Sequence, residues 1–439
     1  MGAAAQFLSL PNPEVLAGAW ADVNNADEVK KILFVQHSVS PPGGGPGVGA
    51  FMLDVLKRHG EITLLTLEKF DPQRMDQYYG TRLTGAKIRP ILVRDPMLEL
   101  SRRFGISHGL LKLHALMKAG KRFLAEQPDF DLVCSGYDEQ DLGRPCIQYL
   151  HYPWNLYPRP DAPSGWNESV FLRRVILFYN FLCRKFSGFS YQRVYQNLTL
   201  VNSSWTGEKA RSRYPELSYL VMNPPALAEA VTDDGSRRQS RFLSIGRCAK
   251  EKEWLKLIDI VARLRERGHD VGLTLAGSRN TESYEREIRS RIQGLGDWVQ
   301  LKLDFSREEL QELLVTHRFG LHGMREEHYG MAVAELILGG CLTSVPDDGG
   351  QVEIVTNPLL RYTCVNDAVE KWDRVLRSKE LQGELLAEQL ATRGHLSKDR
   401  FLAEYDRVVS LCLERGVEGV VQGLKDETLA DLGYFSNHR

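Results

Sequence analysis

The chain has 439 residues, 43% of them hydrophobic and 26% charged, with a formal net charge of -1. That balance suits two or three domains with sizeable cores, and it excludes a disordered chain and a nucleic-acid binder that works by bulk phosphate neutralisation. Seven scattered cysteines without a CxxC pair support neither a disulfide framework nor a zinc site, and a reducing, cytoplasmic compartment fits them best.

The opening MGAAAQFLSLPNPEVLAG lacks a basic leader region, and Gln6 stands where a myristoylation site wants Ser or Thr. No apolar run approaches the roughly 18 residues needed to span a bilayer. The sequons at Asn167, Asn197 and Asn202 are then read as chance. Residues 31–67 read as strand KILFVQH, a glycine-rich loop SVSPPGGGPGVG, helix GAFMLDVLKRHG and strand EITLLTLE, the opening of an α/β domain. In the loop, Gly44 and Gly45 followed by Pro46 would let bare backbone approach a diphosphate at a helix N-terminus; the alternative is a plain Pro/Gly turn. The pattern is not GxGxxG with a ribose-binding acid, so no dinucleotide site is read.

Two later stretches, Leu100 to Ala125 and Ser169 to Gly207, contain no Asp or Glu but carry Arg102, Arg103, Lys121, Arg173 and Arg174 among apolar residues. They read either as core helices with solvated basic ends or as surfaces for peripheral contact with an anionic membrane. Between them, CIQYLHYPWNLYP ends an apolar strand at His151. A histidine there faces the ligand crevice of a parallel sheet, or packs among Tyr149, Tyr152 and Trp154.

Residues 241–277 repeat the opening plan as strand RFLSIG, loop RCAKEKE, helix WLKLIDIVARLRERG and strand DVGLTLAG. Two such units predict two Rossmann-like doubly wound domains facing a central cleft. The breaks at Pro224, Pro225 and the following Asp-Gly-Ser run divide the chain into 1–225, 226–405 and a closing helical segment 406–439. In the second loop, Arg247 and Lys252 offer a guanidinium and an ammonium that could compensate charge on a leaving diphosphate. No metal constellation is read.

Gly320 to Val355 form a strand, a loop and a helix. The loop holds Glu326, Glu327 and His328; Gly330 and Met331 open the helix, whose free N–H groups suit an anion. Glu335 follows Glu327 by eight residues, so two carboxylates can face one cavity at different heights. The alternative is a surface loop with ordinary helix-start acids.

Glu327 and Glu335 with Gly330 between them, together with the G-R-x-x-x-E-K of Gly246, Arg247, Glu251 and Lys252, resemble the retaining nucleotide-sugar glycosyltransferases of family GT4. The wording LHGMREEHYGMAVAE, the YLHYP around His151 and the later LVNSSWTGEKARSRYP and MNPP resemble especially the branch of lipid-linked oligosaccharide mannosyltransferases. This resemblance implies a GT-B fold with the donor on the C-terminal half and the acceptor on the N-terminal half. It also implies roles: Glu327 on donor sugar hydroxyls, Glu335 on the ribose, His151 beside the donor sugar, Arg247 and Lys252 at the diphosphate. His328, Gly330, Met331, Gly44 and Gly45 are the remaining expected donor contacts.

The implied reaction is retaining, metal-independent transfer of a hexose, mannose first, from a GDP- or UDP-linked sugar to an acceptor hydroxyl, a lipid-linked one included, with no cofactor. GT4 chains often place an arginine shortly after the glycine pair, where this chain has Pro46 and Gly47. A glycosyl phosphorylase, a nucleotide-sugar epimerase and a non-catalytic nucleotide-sugar binder are the alternatives on the same fold.

Overall fold

Near-continuous apolar runs such as KKILFV suit strands covered on both faces, the condition of an all-parallel sheet. The computed structural model describes residues 29–103, 109–156, 169–228, 230–231 and 235–426. The readings of the chain start and of Asn167 lie outside them, as do the Arg102 side chain and the end of the closing segment. The first sheet comprises β1 (Lys30–Val35), β2 (Gly60–Thr66), β3 (Ile88–Leu92), β4 (Leu132–Ser135), β5 (Ile147–Leu150), β6 (Leu198–Val201) and β7 (Tyr219–Val221). The second comprises β8 (Gln239–Ile245), β9 (Gly272–Gly277), β10 (Val299–Leu303), β11 (His317–Leu321), β12 (Leu342–Pro346) and β13 (Arg361–Tyr362). Their orders, β3-β2-β1-β4-β5-β6-β7 and β10-β9-β8-β11-β12-β13, both reverse direction beside the first strand, between β1 and β4 and between β8 and β11. A crevice for ligands opens at the carboxyl ends of the strands at such a reversal.

The glycine run read as a loop is instead the first turn of helix α1 (Gly44–Leu56), with the Gly47 N–H donating to the Gly43 carbonyl at 3.1 Å. Small residues are needed there because the turn is crowded. A Cβ on Gly47 would lie 2.9 Å from the Tyr79 ring, and one on Gly49 2.9 Å from Gln36. Tyr79 ends α2 (Pro72–Tyr79) and donates its hydroxyl to the Gly43 carbonyl at 2.9 Å.

The two acid-free stretches part company. α3 (Gly109–Glu126) buries Leu110, Leu111, Leu113, Leu116 and Met117, so it is a core helix. Its Lys121, read as a membrane-facing candidate, turns inward to Asp141 at 2.7 Å and to the Ser187 and Gly188 carbonyls. α4 (Val170–Ser187) buries only Asn180, Cys183 and Ser187.

α5 (Ser204–Arg213) follows β6. In the second unit α6 (Trp254–Glu266) buries Trp254, Leu257, Ile258 and Val261, as their helical spacing predicts. It is followed by α7 (Arg307–Thr316) and α8 (Met331–Leu338). The final helix α9 (Lys398–Lys425) runs unbroken through 405 and 406 and departs from helical geometry at Gly416, φ 71° and ψ 153°. Its Phe401, Tyr405, Val408 and Val409 join Ile32, Phe34 and Phe51 in one core, so this helix packs back on the first sheet. Among the described residues no helix is long and apolar enough to cross a membrane.

Candidate functional site

β11 delivers the chain to the crevice, where His322 and the loop that follows lead into α8. Gly330 caps α8 at φ 105°, a left-handed conformation that glycine adopts without steric cost. The loop backbone is fixed from behind. The Gly350 N–H donates to the Glu327 carbonyl at 2.7 Å, and Gln351 Nε2 donates to the Met324 carbonyl at 2.8 Å. The first intrahelical bond runs from the Ala334 N–H to the Gly330 carbonyl, leaving the amides of the preceding turn open among the described residues at the positive end of the helix dipole.

Glu327 is the hub of this half. Its Oε2 accepts from Lys252 Nζ at 2.6 Å and from His322 Nε2 at 3.1 Å, and the three side chains are only 15%, 12% and 1% exposed. Burial by itself would raise the Glu327 carboxyl. The Lys252 charge, the His322 hydrogen bond and the charges around it outweigh burial and hold the carboxyl well below the usual carboxylate range. Burial keeps His322 below its ordinary range despite Glu327, so the pair is a carboxylate receiving an N–H from a neutral imidazole. Arg247 behaves differently: its side chain is 55% exposed and pairs with Glu251 at 3.1 Å. Lys252 is thus committed to Glu327, while the guanidinium five residues earlier stays exposed beside Glu251.

Glu335 is buried, 7% exposed, and accepts from Arg307 Nη1 at 3.0 Å. Burial pushes its carboxyl up more than Arg307 pulls it down. The other Arg307 terminal nitrogen, Nη2, is buried with no hydrogen-bond partner among the described residues. The two carboxylates therefore each hold a separate cation. Among the described residues, no group of three metal-ligating side chains is placed to hold an ion.

The first sheet supplies the opposite wall. His151 follows β5, with its N–H donating to Asp138 Oδ1 at 2.7 Å and its Nε2 lying 3.1 Å from the Gly136 carbonyl, the geometry of an Nε2–H donor. Burial lowers its pKa to about 4, so it is neutral near pH 7. A Cβ on Gly45 would lie 3.5 Å from the Tyr137 ring and 3.8 Å from His151 Nε2, which places the start of α1 against that histidine. His37, at the end of β1, packs its ring 3.7 Å from Tyr137 and has its pKa lowered to about 3, by burial and then by Lys112 and His151.

The walls touch. A Cβ on Gly44 would fall 2.7 Å from Met331 Sδ at the head of α8, and the His328 ring stacks on Tyr152 at 4.5 Å and 19°. Ser203 donates to the His328 carbonyl at 2.5 Å. Glu353 of the second unit accepts from the Ser204 and Trp205 amides at 3.0 and 2.9 Å, a carboxylate on the N-terminus of α5. Of the sequence candidates, Gly44, Gly45 and His151 lie on one side of this contact and Lys252, Glu327, His328, Gly330 and Met331 on the other. Glu335 sits deeper, and Arg247 nearer solvent.

Sequence reasoning missed His322, Arg307, His37, Ser203 and Glu353. His322 immediately follows β11, so the strand-end argument that found His151 applies to it equally. Arg307 and Glu353 carry no such signal, because each reaches its partner from another element.

Residues 235–392 match the family model described as Glycosyl transferases group 1. Among curated proteins, the chain is 26% identical over 254 residues to the GDP-Man:Man(3)GlcNAc(2)-PP-Dol alpha-1,2-mannosyltransferase of Candida glabrata, covering 53% of this chain and 46% of that one. The protein of that name from Mus musculus is 27% identical over 236 residues, covering 46% of each. The chain spans about half the length of the curated relatives it matches. Among solved structures, Anabaena HepE in complex with UDP-glucose aligns with a TM-score of 0.60 at 14% identity, over 87% of this chain and 99% of that one. Sucrose-phosphate synthase from Thermosynechococcus elongatus aligns with a TM-score of 0.61 at 12% identity, over 88% and 99%. These likenesses show the fold, which is GT-B.

Proposed function

We infer that the chain, whose residues 235–392 match the Glycosyl transferases group 1 model and whose fold is GT-B, is a retaining, metal-independent hexosyltransferase using a nucleotide diphosphate sugar. The observation that carries this reading is the Lys252–Glu327–His322 cluster beneath the open N-terminus of α8, facing Gly45 and His151 across the crevice. Diphosphate oxygens suit the amides of α8 and the exposed guanidinium of Arg247, which supply positive potential where the leaving group gains charge. Glu327, ionised and held by two partners, is an oriented acceptor for sugar hydroxyls. Arg307 holds Glu335 for the ribose and keeps Nη2 available for a polar group.

On this reading the departing phosphate takes the acceptor proton on the face it leaves, which retains configuration without an enzymic nucleophile. His151, neutral with its Nε2–H held by Gly136, borders the sugar rather than acting as an acid at neutral pH. The names of the relatives favour GDP-mannose as donor and a lipid-linked oligosaccharide as acceptor. Thermal-shift screening of GDP-, UDP- and ADP-linked sugars tests the donor, since a ligand at a hundred times its Kd stabilises by about 2.7 kcal/mol. NMR of the product anomer, with and without EDTA, tests the rest. An inverted anomer refutes retention, strict metal dependence refutes the charge assignment, and no response to any nucleotide refutes the donor site.

A further inference from the structure

α4 presents to solvent a face that a water-facing helix does not ordinarily carry. Phe171 is 73% exposed, Phe178 62% and Leu182 48%, and Val175, Leu177 and Phe181 are exposed beside them. At 3.6 residues per turn these six span an arc of about 160°. Every other exposed position of the helix except Val170 is basic, namely Arg173, Arg174 and Lys185, and the helix contains no acidic residue. An apolar surface of this kind, contiguous and interspersed with one sign of charge, marks an interaction site.

The packing of α4 explains the exposure and gives it a direction. Its C-terminal half is seated on α3: His114 Nδ1 meets Ser187 Oγ at 2.7 Å, Lys118 lies 4.0 Å over the Phe186 ring, and the Tyr179 hydroxyl bonds to the Leu111 backbone. Leu111 is already within the first turn of α3, so the nine residues before Tyr179, roughly 13 Å of helix, extend beyond α3 as described from Gly109. That end of α3 abuts the loop after β5, because a Cβ on Gly109 would fall 2.9 Å from the Trp154 ring. The overhanging half of α4 therefore lies on the same side of the first sheet as His151.

We propose that the exposed face of α4 docks on an anionic lipid surface, its phenylalanines and leucines entering the interface while Arg173, Arg174 and Lys185 meet the headgroups. Long basic side chains within an apolar arc bury their stems and extend their charges to an interface, which suits lipid. A second copy suits it poorly. Two-fold contact would bring the three basic residues of both copies together with no acid on the face to pair them. Docking here holds the crevice next to the membrane plane, where an acceptor with a lipid anchor is presented; that consequence rests on the transferase reading, and the docking itself does not.

Flotation of the full chain with vesicles tests it, using phosphatidylcholine alone and phosphatidylcholine with phosphatidylserine, at about 0.05 and 0.5 M salt. Binding to the anionic vesicles at low salt is expected, with little on neutral vesicles and a strong loss at high salt. Each basic residue near the surface strengthens partitioning about fivefold, so Arg173→Glu with Arg174→Glu and Lys185→Glu should weaken it at least about a hundredfold. Phe171→Ser with Phe178→Ser should abolish it, with the thermal transition retained because both residues are exposed. Wild-type protein that fails to float with anionic vesicles, or variants that float as well as wild type, overturn the proposal. So does light scattering that shows a dimer dissociated by the phenylalanine pair, which would make this face a contact between copies. Flotation needs no donor, so docking without nucleotide binding refutes only the transferase reading, and nucleotide binding without docking refutes only this one.

Discussion

A double-mutant cycle on Lys252 and Glu327 tests the centre of the site. Glu327→Gln preserves shape and an acceptor for His322, yet leaves the Lys252 ammonium, 12% exposed, without its counter-ion. Removing one partner of a buried pair costs about 3–5 kcal/mol, and the retained amide oxygen places this case near about 3. In a unit of about 200 residues, such a loss lowers Tm by about 6–12 °C. Lys252→Met acts by another route: burial, which raises the Glu327 carboxyl, then faces only the two histidines, and the carboxyl takes up a proton at higher pH than before. The double variant removes both charges and should regain about 2 kcal/mol of the summed losses while staying inactive, which separates stability from chemistry. Urea denaturation of the four proteins measures the coupling. Single-variant losses that add to within about 0.5 kcal/mol would show that the two groups do not act as a pair and would refute the reasoning.

Arg247→Ala should reduce turnover by about two to three orders of magnitude with an unchanged melting transition, because the side chain is half-exposed and, among the described residues, bonded only to Glu251; single-turnover kinetics measure it, and a loss confined to KM would count against a transition-state role. Gly330→Ala forces a Cβ into φ 105° and should cost about 1–2 kcal/mol while weakening nucleotide binding, checked by calorimetry on the folded variant. Burial holds His37 and His114 at about 3 and His151 and His317 at about 4, all below the ordinary 6.5. Their contribution is thus fully present above pH 6.5 and is lost progressively as pH falls, down to about 4 for His151 and His317 and about 3 for His37 and His114. Each should add a slope of up to about 1.4 kcal/mol per pH unit in that window, and denaturation curves at several pH values should show the slope flatten in His114→Gln.

What the sequence reveals and what it conceals follow from the range of the interactions. Strands and helices such as 241–277 are legible because burial imposes a period, and the spacing of Trp254, Leu257, Ile258 and Val261 is that period. His151 is legible because a strand end has a fixed relation to the crevice. The start of α1 is not, since a run of glycines reads as a turn until Tyr79 and Gln36 are seen to require small residues there. The stretches 100–125 and 169–207 share an acid-free, basic-apolar pattern, and their helices have opposite outcomes. Which helix is seated on the sheet and which lies outside it depends on long-range packing that composition does not encode. Lys252 illustrates the same limit for charge: its spacing from Arg247 suggests a shared task, yet the fold brings Glu327 to 2.6 Å and sets the two cations apart.

The run Glu326-Glu327-His328 joins the two halves of the molecule by facing them alternately. Glu326 lies 3.1 Å from Lys209 of α5, Glu327 turns back to Lys252 of its own unit, and His328 stacks on Tyr152 across the crevice. Successive side chains can alternate so sharply because Glu326 adopts φ 48°, a left-handed conformation that costs a non-glycine residue about 1 kcal/mol. The backbone between them is also anchored from both sides, the Glu327 carbonyl by Gly350 and the His328 carbonyl by Ser203. A movement that separates the sheets must break the Ser203, Lys209 and Tyr152 contacts, and these are made by the residues on either side of Glu327. Lys252, His322 and Gly350 hold Glu327 from within the second unit, so the loop that carries this carboxylate, proposed to meet the donor sugar, also carries the contact between the two sheets on either side of it.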